Sequence, residues 1–181
     1  MYDLEALILD YQQGKQFDFV FFWGHQARED GQITASCFSQ WWSATFEVDG
    51  ITYTSAEHYM MAEKAKLFGD EAIHEAIINA PSPAHAKKLG REVQGFERVT
   101  WDAHKVEIVI TGNRHKFAQN SALKEFLLST NSRILVEASP VDKIWGIGLA
   151  KEDDDSMIPT RWQGANLLGF ALMEVRKQLS V

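Results

Sequence analysis

Cysteine is almost absent from this sequence. Cys37 stands alone among 181 residues, so no disulfide can close within the chain and no cysteine zinc cluster can assemble. By itself Cys37 reads as a small buried hydrophobe. Positive charge is also short: 18 Lys and Arg face 25 Asp and Glu, a formal net charge of −7. A surface of that sign does not coat DNA or RNA, whose phosphates demand a basic face, although it leaves room for a local anion pocket. No stretch approaches the ~20 consecutive apolar residues of a membrane span. The opening MYDLEALILDYQQGKQ lacks the basic start and apolar run of a secretory signal. The expected location is the cytoplasm, without membrane association. Walker, Rossmann and G-x-S-x-G motifs are missing. The six histidines are scattered without H-E-x-x-H or a similar spacing, so neither a metal nor a cofactor is expected.

What remains is ordinary in bulk and rich in rings. Apolar residues make up 45% and charged residues 24%, as in a folded globular protein large enough to bury a core. Aromatics reach 12%, with six Trp and eleven Phe. No internal repeat, low-complexity tract or linker divides the chain, so a single domain over 1–181 is expected. The pattern predicts a short helix over 1–13, a strand over 17–23 (FDFVFFW) and a polar loop over 24–36. A hairpin is expected over 44–54, around Asp49-Gly50. Helices follow at 55–68, at 70–79, from Ser82-Pro83 to Gly90, at 100–120 with Thr100 as cap, and at 121–129. A strand at 133–139, an acidic loop at 151–162 and a last helix at 164–179 complete the chain. Helices dominate and strands are few and short, which is the α+β class.

The segment YTSAEHYMMAEKAKLF, residues 53–68, poses the main problem. On a helical wheel Met60, Met61, Ala65, Leu67 and Phe68 gather in one arc, with Tyr59, Glu63 and Lys66 opposite. Glu57 and Lys64 lie within about 20° of each other, because seven residues make nearly two turns. Both sit in the middle of the apolar arc, where an isolated charge is costly. Three readings stand side by side. Thr54 and Glu57 can form a capping box. The pair can be a buried structural ion pair. Or it can be a reactive pair, because desolvation frees a lysine amine and a neighbouring carboxylate serves as a base or stabilises positive charge.

Three other stretches carry site chemistry. DKIWGIG, 142–148, puts Asp142, Trp145, Gly146 and Gly148 on one loop after a strand. The glycines admit close approach of backbone, Trp145 offers a stacking face, and Asp142 offers a carboxylate for a ribose hydroxyl or for proton transfer. GANLLG, 164–169, opens the last helix with Asn166, and a helix start suits phosphate. FFWGH (21–25) and CFSQWW (37–42) mix rings with polar groups. Each stretch also has a plain structural reading, as turn, cap or core.

Taken together these stretches resemble the NADAR family, the YbiA-like proteins. The likeness rests on FFW at 21–23, CFSQWW at 37–42, EHYMMAEKA at 57–65, KF-x-QN-x-x-LKEFLL at 116–128, LVEASPVDKIWGIGL at 135–149 and GANLLGFALMEVR at 164–176. It runs from about Phe19 to Arg176. The resemblance implies a mostly helical α+β N-glycosidase that cleaves between C1 of a ribose and a nitrogen. It implies as substrate a phosphorylated N-riboside, such as the phosphoribosylamino-pyrimidine intermediates of riboflavin biosynthesis. Alternatives within its range are an ADP-ribosyl substrate, including ADP-ribose on guanine in DNA, and a non-catalytic ADP-ribose-binding module. Carried over by motif, Glu57, Lys64 and Asp142 are the catalytic candidates. Trp23, Trp101, Trp145, Gly146, Gly148 and Asn166 are the substrate-binding candidates, and the helix start at Gly164 is the candidate phosphate site. Gln40 and Trp41 stand where many members have Asn-Phe. The acidic loop 151–162 lies between two motifs, in a position to cover a pocket and alter substrate choice.

Overall fold

The computed structural model describes residues 1–180. In chain order the elements are α1 (Leu4–Gln12), β1 (Phe19–Phe22), β2 (Phe46–Val48), β3 (Ile51–Tyr53), α2 (Ala56–Leu67), α3 (Glu71–Ile78), α4 (Pro83–Gly90), α5 (Arg98–Ala118), α6 (Ser121–Ser129), β4 (Ile134–Glu137) and α7 (Leu167–Leu179), with short 3₁₀ turns at Ala35–Phe38, Asp154–Met157 and Pro159–Arg161. The class is α+β. The chain forms two compact units, residues 1–39 with 122–181, and residues 40–121. No helix among the described residues is long and apolar enough to cross a membrane.

Capping residues set most helix starts. Asp3, Ser55, Asp70 and Ser82 each precede a helix, and each side chain accepts the backbone N–H three residues on, the favoured arrangement for an orphan donor. Pro83 occupies the first turn of α4. Two expected caps move by a few residues. Ser55, not Thr54, caps α2, so Glu57 is not the third helical residue and the capping-box reading of Glu57 fails. Helix α5 begins at Arg98 rather than Thr100, and the Thr100 hydroxyl turns back to donate to the Glu97 carboxylate.

In the unit 40–121, β2 and β3 pair antiparallel, with Phe46 opposite Tyr53 and Val48 opposite Ile51. Asp49 and Gly50 both take positive φ, 51° and 81°, the tight hairpin turn that Asp-Gly encodes. Helix α2 packs against α3, α4 and α5. It is buried on every side over its first two turns, including Tyr59, which the wheel sets on the opposite face. A wheel assumes one wet side, and α2 has none there. Two glycines let its neighbours come close. A Cβ on Gly90 of α4 would lie 2.1 Å from Met61 Sδ, and one on Gly112 of α5 would lie 2.4 Å from the Tyr59 ring.

In the unit 1–39 with 122–181, β1 and β4 flank the segment 40–121 in sequence and pair in parallel, Phe19 with Ile134 through Phe22 with Glu137. Leu7, Ile134, Val136, Ile147, Leu149, Trp162 and Phe170 form its core. The acidic segment 151–162 is anchored there: Trp162 is buried and its indole N–H donates to the Ser156 carbonyl at 2.7 Å. Helix α7 starts at Leu167, three residues later than expected, with Asn166 as a left-handed cap at φ 53°.

Candidate functional site

The sequence-derived candidates fall into two groups, one in each compact unit. Glu57, Lys64 and Trp101 belong to 40–121; Trp23, Asp142, Trp145, Gly146, Gly148 and Asn166 belong to the other.

Glu57 sits in the first turn of α2 and is only 3% exposed. Its backbone N–H donates to the Gln40 carbonyl at 3.0 Å. Lys64 is half-buried two turns later. Its ammonium donates to the Gly90 carbonyl at 2.7 Å. It also lies 4.4 Å from the Phe96 ring centroid and 5.6 Å from that of Trp101. The carbonyl and the rings favour the charged form. Burial opposes it, and so does the positive charge of Arg91. The net effect holds the Lys64 amine below the ordinary lysine value.

Trp101 is thus a stacking candidate beside Lys64 in the same unit. The motifs did not single out Phe96, which is 46% exposed and whose ring lies edge-on to Phe68 at 5.4 Å. Arg91 and the Gly90 carbonyl were missed as well. The only available signal is that Gly90 ends α4 and Arg91 follows it. A buried amide pair also escaped. Asn113 Nδ2 donates to Gln40 Oε1 at 2.7 Å and to the Val109 carbonyl at 2.9 Å, with both side chains buried. Lys116 on α5 is completely buried, its ammonium 5.1 Å from the Phe117 ring centroid.

His58, next to Glu57, is a structural group. Its backbone N–H donates to Ser55 Oγ, its Nδ1 lies 2.7 Å from that oxygen, and its Nε2 lies 3.0 Å from the Ala80 carbonyl. A neutral ring with the proton on Nε2 satisfies both contacts. Burial pushes its pKa below the ordinary 6.5, against a smaller opposing pull from the Ala80 carbonyl. The unfolded chain then binds a proton below about 6.5 that the folded ring resists. Stability present above about pH 6.5 is lost as pH falls toward the folded value, by at most about 1.4 kcal/mol per pH unit. The thermal midpoint of His58→Gln should accordingly fall less steeply than wild type as pH drops below about 6.5, a difference in slope readable by calorimetry. Parallel slopes would remove His58 from the account.

In the other unit the motif residues shape a loop. Asp142 Oδ1 accepts the N–H groups of Ile144 and Trp145, each at 2.8 Å. A Cβ on Gly146 would lie 2.8 Å from the Glu137 carbonyl, and Gly148 takes φ 69°. Asn166 is fully buried, accepting from the Glu137 N–H at 3.0 Å and donating to the Leu135 carbonyl at 2.9 Å. Its side chain ties α7 to β4. Trp145 is partly buried and Trp23 is 59% exposed. The expected phosphate site at the start of the last helix needs correction. The N–H groups of Ala165, Asn166, Leu167 and Leu168 donate to the carbonyls of Lys143, Gly146, Ile144 and Trp145. Four successive amides are engaged by the 142–148 loop, so they are not available to an anion.

The comparisons with known proteins follow the same motifs. The NADAR domain profile matches residues 21–180. The chain belongs to the NADAR family. Among curated NADAR-like relatives, N-glycosidase R617 of Acanthamoeba polyphaga mimivirus is 43% identical over 165 residues, covering 88% of this chain and 95% of that protein. N-glycosidase YbiA of Escherichia coli is 34% identical over 144 residues, covering 80% of this chain and 81% of YbiA. The NMR structure of E. coli YbiA superposes with a TM-score of 0.71 at 31% identity, covering 92% of this chain and 87% of that one. Among the described residues of this NADAR chain, no group of three or more His, Cys, Asp or Glu could hold a metal ion.

Proposed function

We propose that this protein, an N-glycosidase of the NADAR family, hydrolyses the bond between ribose C1 and nitrogen in a phosphorylated ribosylamine. The class includes the phosphoribosylamino-pyrimidine intermediates of riboflavin biosynthesis. The observation that carries the reading is on α2: a lysine whose amine is held below its ordinary pKa, two turns after a buried glutamate. Two turns separate the groups by about 10 Å along the axis, and both long side chains lean toward the helix N-terminus. A pentose fits that spacing.

Loss of a proton from Lys64 removes the charge that strengthens its bond to the Gly90 carbonyl, a bond of about 1.5–3 kcal/mol while charged. The lone pair of the substrate nitrogen opens the ring: the C1–O4 bond breaks, O4 takes up a proton, and C1 becomes an imine carbon that the neutral amine attacks. A carbon–nitrogen bond forms to Lys64, the bond to the substrate nitrogen breaks, and that nitrogen leaves as an amine after taking up a proton. Water hydrolyses the resulting imine, releasing ribose 5-phosphate and restoring Lys64. Glu57 faces the positive charge that grows on C1 and gives a proton to the leaving nitrogen. Phe96 and Trp101 supply rings against which a planar base can stack. Arg91 is the cation beside Lys64 available to a substrate phosphate. Asp142 acts by holding the 142–148 loop.

The test is a product assay over N-ribosyl phosphates, NAD, ADP-ribose and ADP-ribosylated DNA. The expected result is free aminopyrimidine and ribose 5-phosphate from the first class, with the others uncleaved. Tight ADP-ribose binding without any bond cleavage, or base release confined to ADP-ribosylated DNA, would displace the reading.

A further inference from the structure

Arg176 occupies an unusual place in the unit 1–39 with 122–181. It lies on the buried face of α7 and is nine-tenths buried, 9% exposed. Its Nη1 donates to Thr130 Oγ1 at 2.7 Å and to the Arg133 carbonyl at 2.9 Å. The other edge of the guanidinium, Nε and Nη2, has no hydrogen-bond partner among the described residues, and neither atom is sealed from solvent. No carboxylate of the described residues pairs with it. A largely desolvated cation without a counter-ion is costly unless something negative meets it.

Arg176 also helps to line a cavity of about 720 Å³, a size typical of small-molecule sites. Leu128, Phe170 and Met173 supply apolar walls, and Lys177 and Asn131 supply polar ones. Among the described residues of the lining, the charged side chains are Arg176 and Lys177 against the single carboxylate of Glu174. Glu174 also accepts a hydrogen bond from Gln178 at 3.1 Å. Helix α6 ends at the cavity, and helix C-termini repel anions through their bare carbonyls. Those carbonyls are covered here. Arg133 donates to the carbonyls of Ser129 and Thr130, the Thr130 hydroxyl to that of Leu127, and the Asn131 N–H to that of Leu128. Arg133 thus serves the helix end and leaves the fork of Arg176 for another acceptor.

We propose that this cavity is a second ligand site, which takes a small organic oxyanion: a phosphate or carboxylate bound two-pronged by the free edge of Arg176 and assisted by Lys177, with an apolar or aromatic body against Leu128 and Met173. A planar guanidinium edge matches the spacing of two oxyanion oxygens. The site shares no residue with the proposed chemistry of Glu57 and Lys64, so its fate is independent of that reading.

The test is a titration of the full chain, labelled with ¹³C at the methionine methyl groups, with phenyl phosphate, benzoate and neutral phenol. Met173 is the reporter, while Met60 and Met61 on α2 report on the other unit. Saturable movement of the Met173 signal with either anion and none with phenol is expected, and the stronger anion identifies the head group. Lys177→Glu, an exposed change, should weaken binding about tenfold, and Arg176→Gln should abolish it, with turnover of the N-glycosidase substrate unchanged. No saturable Met173 response, an equal response to phenol, or undiminished binding in Lys177→Glu would overturn the proposal.

Discussion

Replacing Glu57 by glutamine should lower kcat by about 100- to 1,000-fold, the usual consequence of removing one preorganised electrostatic group from a transition state. Glutamine keeps the size of the side chain and removes its charge. The first two turns of α2 are buried on all sides, so shape has to be preserved if chemistry is to be read separately from folding. The check is single-turnover kinetics beside a thermal melt. A folded variant with a wild-type rate would remove Glu57 from the mechanism. A rise in KM at unchanged kcat would give it a binding role only.

Lys64→Met should abolish turnover, and Lys64→Arg should not restore it. A guanidinium remains protonated at every accessible pH and cannot supply a neutral amine. The depressed lysine pKa has a definite consequence for the pH profile. Burial and Arg91 bring deprotonation to a lower pH than that of a free lysine. The rate should therefore rise with pH and level off once Lys64 has lost its proton, below the ordinary lysine range. Borohydride added during turnover should leave a reduced pentose phosphate on the peptide that contains Lys64. An active enzyme that repeatedly yields no adduct would assign Lys64 a charged, positioning role instead. Removing the positive charge beside it, as in Arg91→Gln, should move the rising limb of the profile toward higher pH.

How legible these features are from sequence depends on how local their causes are. Ser82-Pro83 and Asp49-Gly50 set their own structures within two residues, and the helix start and the hairpin appear where the pattern puts them. The cap of α2 is one residue off because Thr54 and Ser55 are chemically equivalent candidates and only the backbone path selects Ser55. The surroundings of α2 are not legible. Tyr59 is covered because Gly112 opens a notch in α5, and nothing in the spacing of residues 57–68 announces that. The same holds for Lys64, whose carbonyl acceptor is 26 residues away and whose aromatic neighbours belong to another helix and its approach. Glu57 and Lys64 stood out because charge in an apolar setting needs a reason. Phe96 raised no such question, because a lone aromatic in a polar stretch is common. The start of α7 is not legible either, because its first amides are consumed by a loop earlier in the chain, a tertiary fact with no local trace.

The parallel pairing of β1 with β4 has a bearing on how the chain is made. One partner leaves the ribosome early and the other late, with residues 40–121 synthesised in between. That intervening segment holds its own hairpin and four helices, so it can collapse while the remainder is still being translated. Once compact, it shortens the effective tether between the two strands and reduces the entropy lost in joining them. Damage to the inserted segment should then appear first as failed closure of the strands that flank it.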